Sequence, residues 1–124
     1  MTKILDIQKS IIAANGNISL AKELFTMLLD DLDARLNQIE NSFQSNNMEV
    51  LAEQIHKLYG ATAYCIVPEL RKSTEILENA LRQQDYTQLN KLIDVVLSDI
   101  RQLISEGPAF LEKDWLSVQV EEKL

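Results

Sequence analysis

The chain has 124 residues, a formal net charge of −7 and a single cysteine. Its length suits a single domain, which we predict over residues 1–124. An acidic chain repels the phosphate backbone, which argues against a nucleic-acid partner, and one cysteine forms no internal disulfide. No apolar run reaches the ~18 residues of a membrane span and no signal peptide is evident, so we expect a cytoplasmic protein without direct membrane contact.

Glycine and proline are scarce, at three and two residues, and apolar residues recur at helical spacing, so the sequence predicts an all-α fold. An isoleucine repeat near the N-terminus marks a short first helix, which the Asn-Gly-Asn of 15–17 ends. A second helix is predicted over about 19–45, with Asn17 or Ser19 as its N-cap. Its apolar face comprises Leu24, Leu28, Leu32, Leu36, Ile39 and Phe43.

A third helix follows Asn46 or Asn47 as N-cap, and we predict that it ends near Ile66. Its inward face comprises Met48, Leu51, Ile55, Leu58 and Thr62. Pro68 suits the first turn of a fourth helix, because a residue at that position needs no N–H group. The polar segment 83–85 closes this helix.

The fifth helix has the most regular apolar stripe of the sequence, over residues 89–104. Asp85 and Gln88 have the spacing of a capping box, which predicts the helix start. Gly107 and Pro108 form a strong breaking dipeptide. We therefore predict that the fifth helix stops there.

The connections between the long helices are short, which favours antiparallel neighbours. The sequence thus predicts an up-down four-helix bundle over about 19–107, with the first helix as an extra element. The remaining residues, 108–124, form a tail with enough apolar side chains to dock one more turn on the bundle. These are Phe110, Leu111 and Trp115.

His56, the only histidine, belongs to the third helix. At ~100° per residue it lies roughly 130° from the centre of the apolar face, so the ring is predicted to point into solvent. Three of the nearest positions on the helix surface are small, namely Ala52, Gly60 and Ala63. Glycine costs ~1 kcal/mol relative to alanine inside a helix, so Gly60 indicates close approach of another molecule.

A neutral imidazole has one nitrogen lone pair and is a nucleophile. If His56 attacks a phosphoryl group, Lys57 on the same helix can offset part of the new negative charge. The second ring nitrogen then needs a fixed acceptor from the adjacent helix, for which Glu78 and Asn79 are candidates by position. The chain has no Gly-rich nucleotide loop, so another protein or domain must supply the phosphoryl group.

Other interpretations of these residues are less demanding. A lone exposed histidine is usually only a solvated side chain. A zinc site needs three or four ligands, and one histidine with one cysteine predicts no metal site. Cys65 falls at the edge of the apolar face, which favours a buried thiol over a nucleophile. A helical adaptor that binds proteins through the His56 face without phosphate chemistry remains the alternative function.

The segment AEQIHKLYGATAYCIVPEL, followed by Leu77-Glu78, resembles the signature of histidine-containing phosphotransfer (HPt) domains, particularly those at the C-terminus of hybrid sensor histidine kinases. The match is specific around HKLYGA and extends more loosely over about 15–107. The resemblance implies a four-helix bundle with an accessory helix. It also implies a carrier that relays phosphoryl groups between aspartates of response-regulator receiver domains and has no ATP site.

By this resemblance His56 is the phosphoacceptor, through Nε2, and Lys57 helps to hold the phosphate. Gly60, together with Ala52 and Ala63, leaves room for the receiver. Glu78 orients the histidine. Two positions depart from the family pattern. Tyr59 replaces a common lysine, and a common glycine is replaced by isoleucine ten residues after the histidine.

The resemblance also sets expectations about partners and location. No cofactor is expected on this chain, because the divalent ion belongs to the partner receiver domain. We expect a monomer that contacts receiver domains in the cytoplasm. The sequence leaves open whether the chain is a free-standing protein or part of a membrane-bound sensor kinase.

Overall fold

A computed structural model describes residues 4–116, which form five helices and no strand. These are α1 (Ile7–Ala13), α2 (Ile18–Gln44), α3 (Met48–Ala61), α4 (Pro68–Arg82) and α5 (Leu89–Leu111). Each long helix packs on the next, and α5 packs back on α2, while α1 contacts α2. The predicted all-α four-helix bundle with an extra N-terminal helix is confirmed.

The core consists largely of the predicted apolar stripes, with one correction on α2: Phe25 is completely buried, whereas Leu24, Leu36 and Phe43 of the predicted face are only partly buried. Burial of a leucine or isoleucine side chain contributes roughly 1.5–3 kcal/mol, so these stripes determine which face of each helix points inward. The completely buried side chains of the four long helices include Phe25, Leu32, Leu51, Ile55, Leu58, Leu77, Ile93 and Ile100.

The helix starts follow local capping chemistry. Asn17 accepts a hydrogen bond from the Leu20 amide at 2.9 Å, and Asn47 accepts one from the Val50 amide at 3.2 Å. Pro68 is the first residue of α4. These starts are confirmed because each depends only on residues within one turn.

The predicted end of α3 near Ile66 is wrong, since the helix ends at Ala61. The backbone of Ile66 is engaged by the N-terminal region instead. Its carbonyl accepts from the Asp6 amide at 2.8 Å, and its amide donates to Ser10 Oγ at 3.0 Å. These two bonds draw residues 62–67 out of the helix and fix the connection to α4.

Both predicted ends of the fifth helix need correction. Asp85 forms no capping box, because its carboxylate accepts from the amide and hydroxyl of Thr87, and α5 begins at Leu89 without a side-chain cap. At the other end, α5 continues through Pro108 to Leu111.

The C-terminal part of α5 persists because it is packed on both sides. Gly107 is buried so closely against α2 that an added Cβ would lie 2.6 Å from a Leu29 methyl. Trp115 is buried, and its indole N–H donates to the Phe110 carbonyl at 2.8 Å. This packing compensates for the backbone hydrogen bond that Pro108 cannot form. Residues 117–124 of the predicted tail lie outside the described residues.

Candidate functional site

His56 stands on the outer face of α3 with 72% of its side chain exposed, as its angular position predicts. Its small neighbours leave the space around it open. Gly60 and Ala63 are exposed and Ala52 is half-buried. A Cβ added to Gly60 would meet no atom within 4 Å. A second molecule can therefore approach the ring.

The inner nitrogen of the His56 ring is fixed by α4. Nδ1 lies 2.6 Å from Glu78 Oε1. A carboxylate only accepts hydrogen bonds, so the proton of this contact is assigned to Nδ1 and the lone pair to Nε2. Of the two candidate acceptors, the structure brings Glu78 and not Asn79 to the ring. The geometry therefore presents the nucleophilic nitrogen to solvent.

Arg82 joins this pair and is a residue that the sequence analysis missed. Its Nη2 lies 2.9 Å from Glu78 Oε1, the same oxygen that contacts the ring. The Glu78 side chain is only 10% exposed, and two N–H donors compensate for the burial of its carboxylate. The i, i+4 spacing of Glu78 and Arg82 is the sequence signal that could have revealed this contact.

Lys57 lies beside His56 on the surface of α3. Its Nζ is 3.1 Å from Glu53 Oε1, and both side chains are well exposed. An exposed ion pair of this kind contributes about 0–1 kcal/mol, so it restrains the lysine only weakly. The Lys57 amine can therefore exchange this partner for another anion at little cost in free energy.

Tyr59, the departure from the family pattern, contacts α4 through Arg71. The guanidinium carbon lies 4.5 Å from the Tyr59 ring centroid, and Nη2 donates to the phenol oxygen at 3.1 Å. Nη1 donates to Thr62 Oγ1 at 3.0 Å. The contacts of Glu78 and Arg71 with α3 and its C-cap Thr62 together form what we call the α3–α4 interface.

The opposite side of α3 borders an open groove of about 440 Å³ against α2. Met27 and Tyr64 are more than half exposed in this α2–α3 groove. Arg35 lies along its wall, with an Nε that is buried without a hydrogen-bond partner among residues 4–116. The groove is lined by Leu24, Met27, Leu28, Asp31, Arg35, Lys57, Gly60, Ala61 and Tyr64.

Other chemistries find little support in the part of the chain that the structure describes. Cys65 is buried as predicted, and burial raises the pKa of its thiol to about 11, which disfavours the nucleophilic thiolate. No group of three His, Cys, Asp or Glu residues within 4–116 could hold a metal ion. None of the helices in this range has the length and apolar character needed to cross a bilayer.

The model of the Hpt domain family matches residues 23–106, which include His56, Glu78 and Arg82 and exceed half of the chain. The chain belongs to the Hpt domain family. Members of this family are phosphotransfer carriers of two-component phosphorelays and exchange phosphoryl groups with receiver domains. They are not kinases with an ATP site.

The Hpt domain of this chain resembles parts of much longer proteins. It is 37% identical to the sensor histidine kinase GacS of Pseudomonas protegens over 83 residues, which are 67% of this chain and 9% of that protein. It is 36% identical to the signal transduction histidine-protein kinase BarA of Escherichia coli K12 over 78 residues, or 63% of this chain and 8% of BarA. The chain thus spans less than a tenth of the curated relatives that it matches.

A solved structure supports the same assignment. The HPT domain of a sensor hybrid histidine kinase from Shewanella matches with a TM-score of 0.81 and 29% identity. The match covers 87% of this chain and 93% of that domain. The bundle described above is therefore the fold of an Hpt domain.

Proposed function

We propose that His56 accepts a phosphoryl group on Nε2 from the aspartyl-phosphate of a receiver domain and passes it to a second receiver. The contact between Nδ1 and Glu78 carries this proposal, because it directs the lone pair of an exposed imidazole outward. The small residues around the ring support it, since a receiver active site must come within bonding distance.

The proposed step balances without a cofactor on this chain. The Nε2 lone pair attacks phosphorus in line, an N–P bond forms, and the bond between phosphorus and the aspartate oxygen breaks. The aspartate leaves as a carboxylate with the bonding electrons. The proton on Nδ1 remains there, and the same steps in reverse deliver the phosphoryl group to the second receiver.

Charge around the ring changes during this step. As the N–P bond forms, the ring acquires positive character, which the Glu78 carboxylate stabilises from 2.6 Å. Arg82 holds that carboxylate in place at 2.9 Å. On the outer side, Lys57 exchanges Glu53 for the phosphoryl oxygens and offsets their negative charge.

The proposal assigns the remaining machinery to the partner. The receiver docks over the α2–α3 groove, because this groove has exposed apolar side chains and continues to Gly60 beside the histidine. The divalent ion belongs to the receiver, since phosphoryl transfer needs charge neutralisation mainly at the phosphate. This chain then acts as a monomeric carrier and not as an enzyme.

Replacement of the acceptor tests the proposal. Purified His56→Gln is incubated with radiolabelled phospho-receivers from a panel of receiver domains. We expect a folded bundle by circular dichroism and complete loss of label uptake. The label on the wild-type protein should be lost in acid and stable in base, as an N-phosphate is. Asn79→Ala is the matched control, because Asn79 is exposed beside Glu78.

The alternative function predicts a different result. A helical adaptor would bind receivers through the α2–α3 groove while taking up no acid-labile phosphate. Label uptake by His56→Gln, or binding of receivers without any uptake by the wild-type protein across the panel, would overturn the acceptor assignment.

A further inference from the structure

The contacts of Arg71 at the α3–α4 interface serve no step of the proposed transfer directly. Arg71 lies seven residues before Glu78 on α4, which is two turns, so the two side chains share one face of that helix. On α3, Tyr59 lies one turn after His56. The Arg71 contacts therefore adjoin the contact that orients the histidine.

The guanidinium of Arg71 makes three contacts in one place. It stacks on the Tyr59 ring at 4.5 Å and donates to two hydroxyl oxygens, those of Tyr59 at 3.1 Å and Thr62 at 3.0 Å. Thr62 is the completely buried C-cap of α3, and its own hydroxyl donates to the Tyr59 carbonyl at 2.6 Å. A cation at this helix end is also favoured by the helix dipole.

These contacts supply directional restraint where apolar packing supplies little. Apolar burial is non-directional and tolerates small shifts of one helix along another, whereas a hydrogen bond weakens over a few tenths of an ångström. Within residues 4–116, two side chains of α4 form hydrogen bonds with side chains of α3 or its C-cap Thr62. These two are Glu78 and Arg71. Arg71 therefore adds a directional restraint to the same pair of helices that brings His56 to 2.6 Å from Glu78.

We propose that Arg71 and Tyr59 are positioning residues for His56. By holding α3 against α4, they keep Nδ1 of the ring bonded to Glu78 and thereby keep the lone pair on Nε2. Tyr59 then contributes a stacking surface for Arg71. The predicted effect on the rate of phosphoryl transfer rests on the proposed function, whereas the predicted effect on the tautomer of His56 does not.

Nitrogen NMR of the imidazole tests the inference directly. His56 is the only histidine, so its two ¹⁵N resonances are unambiguous in a uniformly labelled protein. At alkaline pH, where imidazole is neutral, the wild-type protein should show well-separated resonances for a protonated Nδ1 and an unprotonated Nε2. In Arg71→Gln the two resonances should move toward each other as the tautomers mix. Transfer from a phospho-receiver should slow by about 10-fold.

The controls separate positioning from charge and from folding. Lys72→Gln removes the same charge from an exposed neighbour on α4 and should leave both readouts unchanged. Tyr59→Phe keeps the ring but removes the hydroxyl, and it should shift the resonances in the same direction by a smaller amount. If circular dichroism shows that Arg71→Gln is unfolded, Arg71→Lys and Tyr59→Phe decide the question by the same two measurements.

Two outcomes would overturn the inference. In the first, the folded Arg71 and Tyr59 variants show the same separation between the two ¹⁵N resonances as the wild-type protein. In the second, the variants transfer phosphate more slowly while the His56 tautomer is unchanged, which would assign Arg71 to receiver docking instead. Neither outcome affects the acceptor assignment, because that assignment is tested by label uptake in the wild-type protein and His56→Gln, whereas the NMR measurement requires no phosphate.

Discussion

The two sides of α3 differ in how they contact their neighbours. Toward α4, the side chains of His56, Tyr59 and Thr62 are all hydrogen-bonded to Glu78 or Arg71. Toward α2, the helix borders an open groove with exposed apolar side chains. One helix therefore presents a restrained side and an open side, and His56 lies between them.

This difference indicates a division of tasks within the proposed function. A nucleophile needs one tautomer and one orientation, which require fixed partners. A docking surface needs unoccupied space and apolar area, which fixed partners would fill. The variants below change one side at a time, so each asks whether the two tasks are separate.

Among variants that keep the phosphoacceptor, the largest effect is expected at Glu78. Glu78→Ala removes the acceptor of Nδ1 and the partner of Arg82, so the ring loses its fixed tautomer and the carboxylate that stabilises its positive charge. We expect transfer from a phospho-receiver to slow by about 100-fold in single-turnover assays. Receiver affinity should change little, because the docking groove lies on the other side of α3.

Glu78→Gln is the graded control for this prediction, because the amide oxygen still accepts a hydrogen bond but carries no charge. Its rate should lie between those of the wild-type protein and Glu78→Ala. If Glu78→Ala transfers at the wild-type rate, the α3–α4 interface has no role in the chemistry.

The complementary change on the open side is Gly60→Trp. Gly60 is exposed and nothing lies within 4 Å of a Cβ at this position, so the added side chain can extend into solvent and the bundle should stay folded. It occupies the approach to His56, however, and transfer should slow by about 10-fold through weaker receiver binding. The His56 tautomer should not change. A wild-type rate in this variant would mean that the open space beside Gly60 is not used for docking.

Much of this arrangement is encoded locally and could be predicted from the sequence. The exposure of His56 follows from its angle on one helix, and the starts of α3 and α4 follow from Asn47 and Pro68. Glu78 was a candidate by position on the adjacent helix. These features depend on periodicity and capping, which a single sequence displays.

The remaining features depend on contacts between distant segments. The end of α3 is set by Ser10, which lies 56 residues before its hydrogen-bond partner Ile66. The contact of Arg71 with Tyr59 requires the relative rotation of two helices, which periodicity does not specify. Likewise, α5 continues past Pro108 because Trp115 and Leu29 pack nearby, and a local breaking signal cannot reveal that packing.

A smaller effect is expected in the free energy of unfolding when the two helical glycines, Gly60 and Gly107, are replaced by alanine. Both gain up to about 1 kcal/mol of helix propensity on replacement by alanine. Gly60→Ala realises this gain because its surroundings are empty, and its unfolding free energy should rise by about 0.5–1 kcal/mol. Gly107→Ala requires a Leu29 methyl to move from 2.6 Å, which offsets part of the gain, so Gly107→Ala should be less stable than Gly60→Ala. Urea unfolding measures both; equal stabilities would contradict the close packing of α5 on α2.

The smallest effect concerns a second carboxylate near α4, on the side that faces α5. Burial raises the pKa of Asp99, the hydroxyl of Ser73 partly opposes this, and the nearby charge of Glu69 raises the pKa further. Unlike Glu78, Asp99 has no cationic partner in an ion pair within residues 4–116. Ionised Asp99 should therefore destabilise the fold, whereas Glu78 is held by two donors.

The sign of the pH dependence follows from this raised pKa. The folded state binds the Asp99 proton more tightly than the unfolded state, in which the carboxyl has its ordinary pKa of 3.8. The penalty is thus full above the folded pKa and vanishes as the pH falls below 3.8. Asp99→Asn keeps an acceptor for Ser73 and should be more stable than the wild-type protein at pH 7 by roughly 0.5 kcal/mol or less, because solvent screens a partly exposed carboxylate. Urea unfolding of both proteins from pH 7 to pH 3 measures the difference, which should shrink toward acid. A wild-type protein that is more stable than Asp99→Asn at pH 7, and loses this advantage toward acid, would show instead that ionised Asp99 stabilises the folded state.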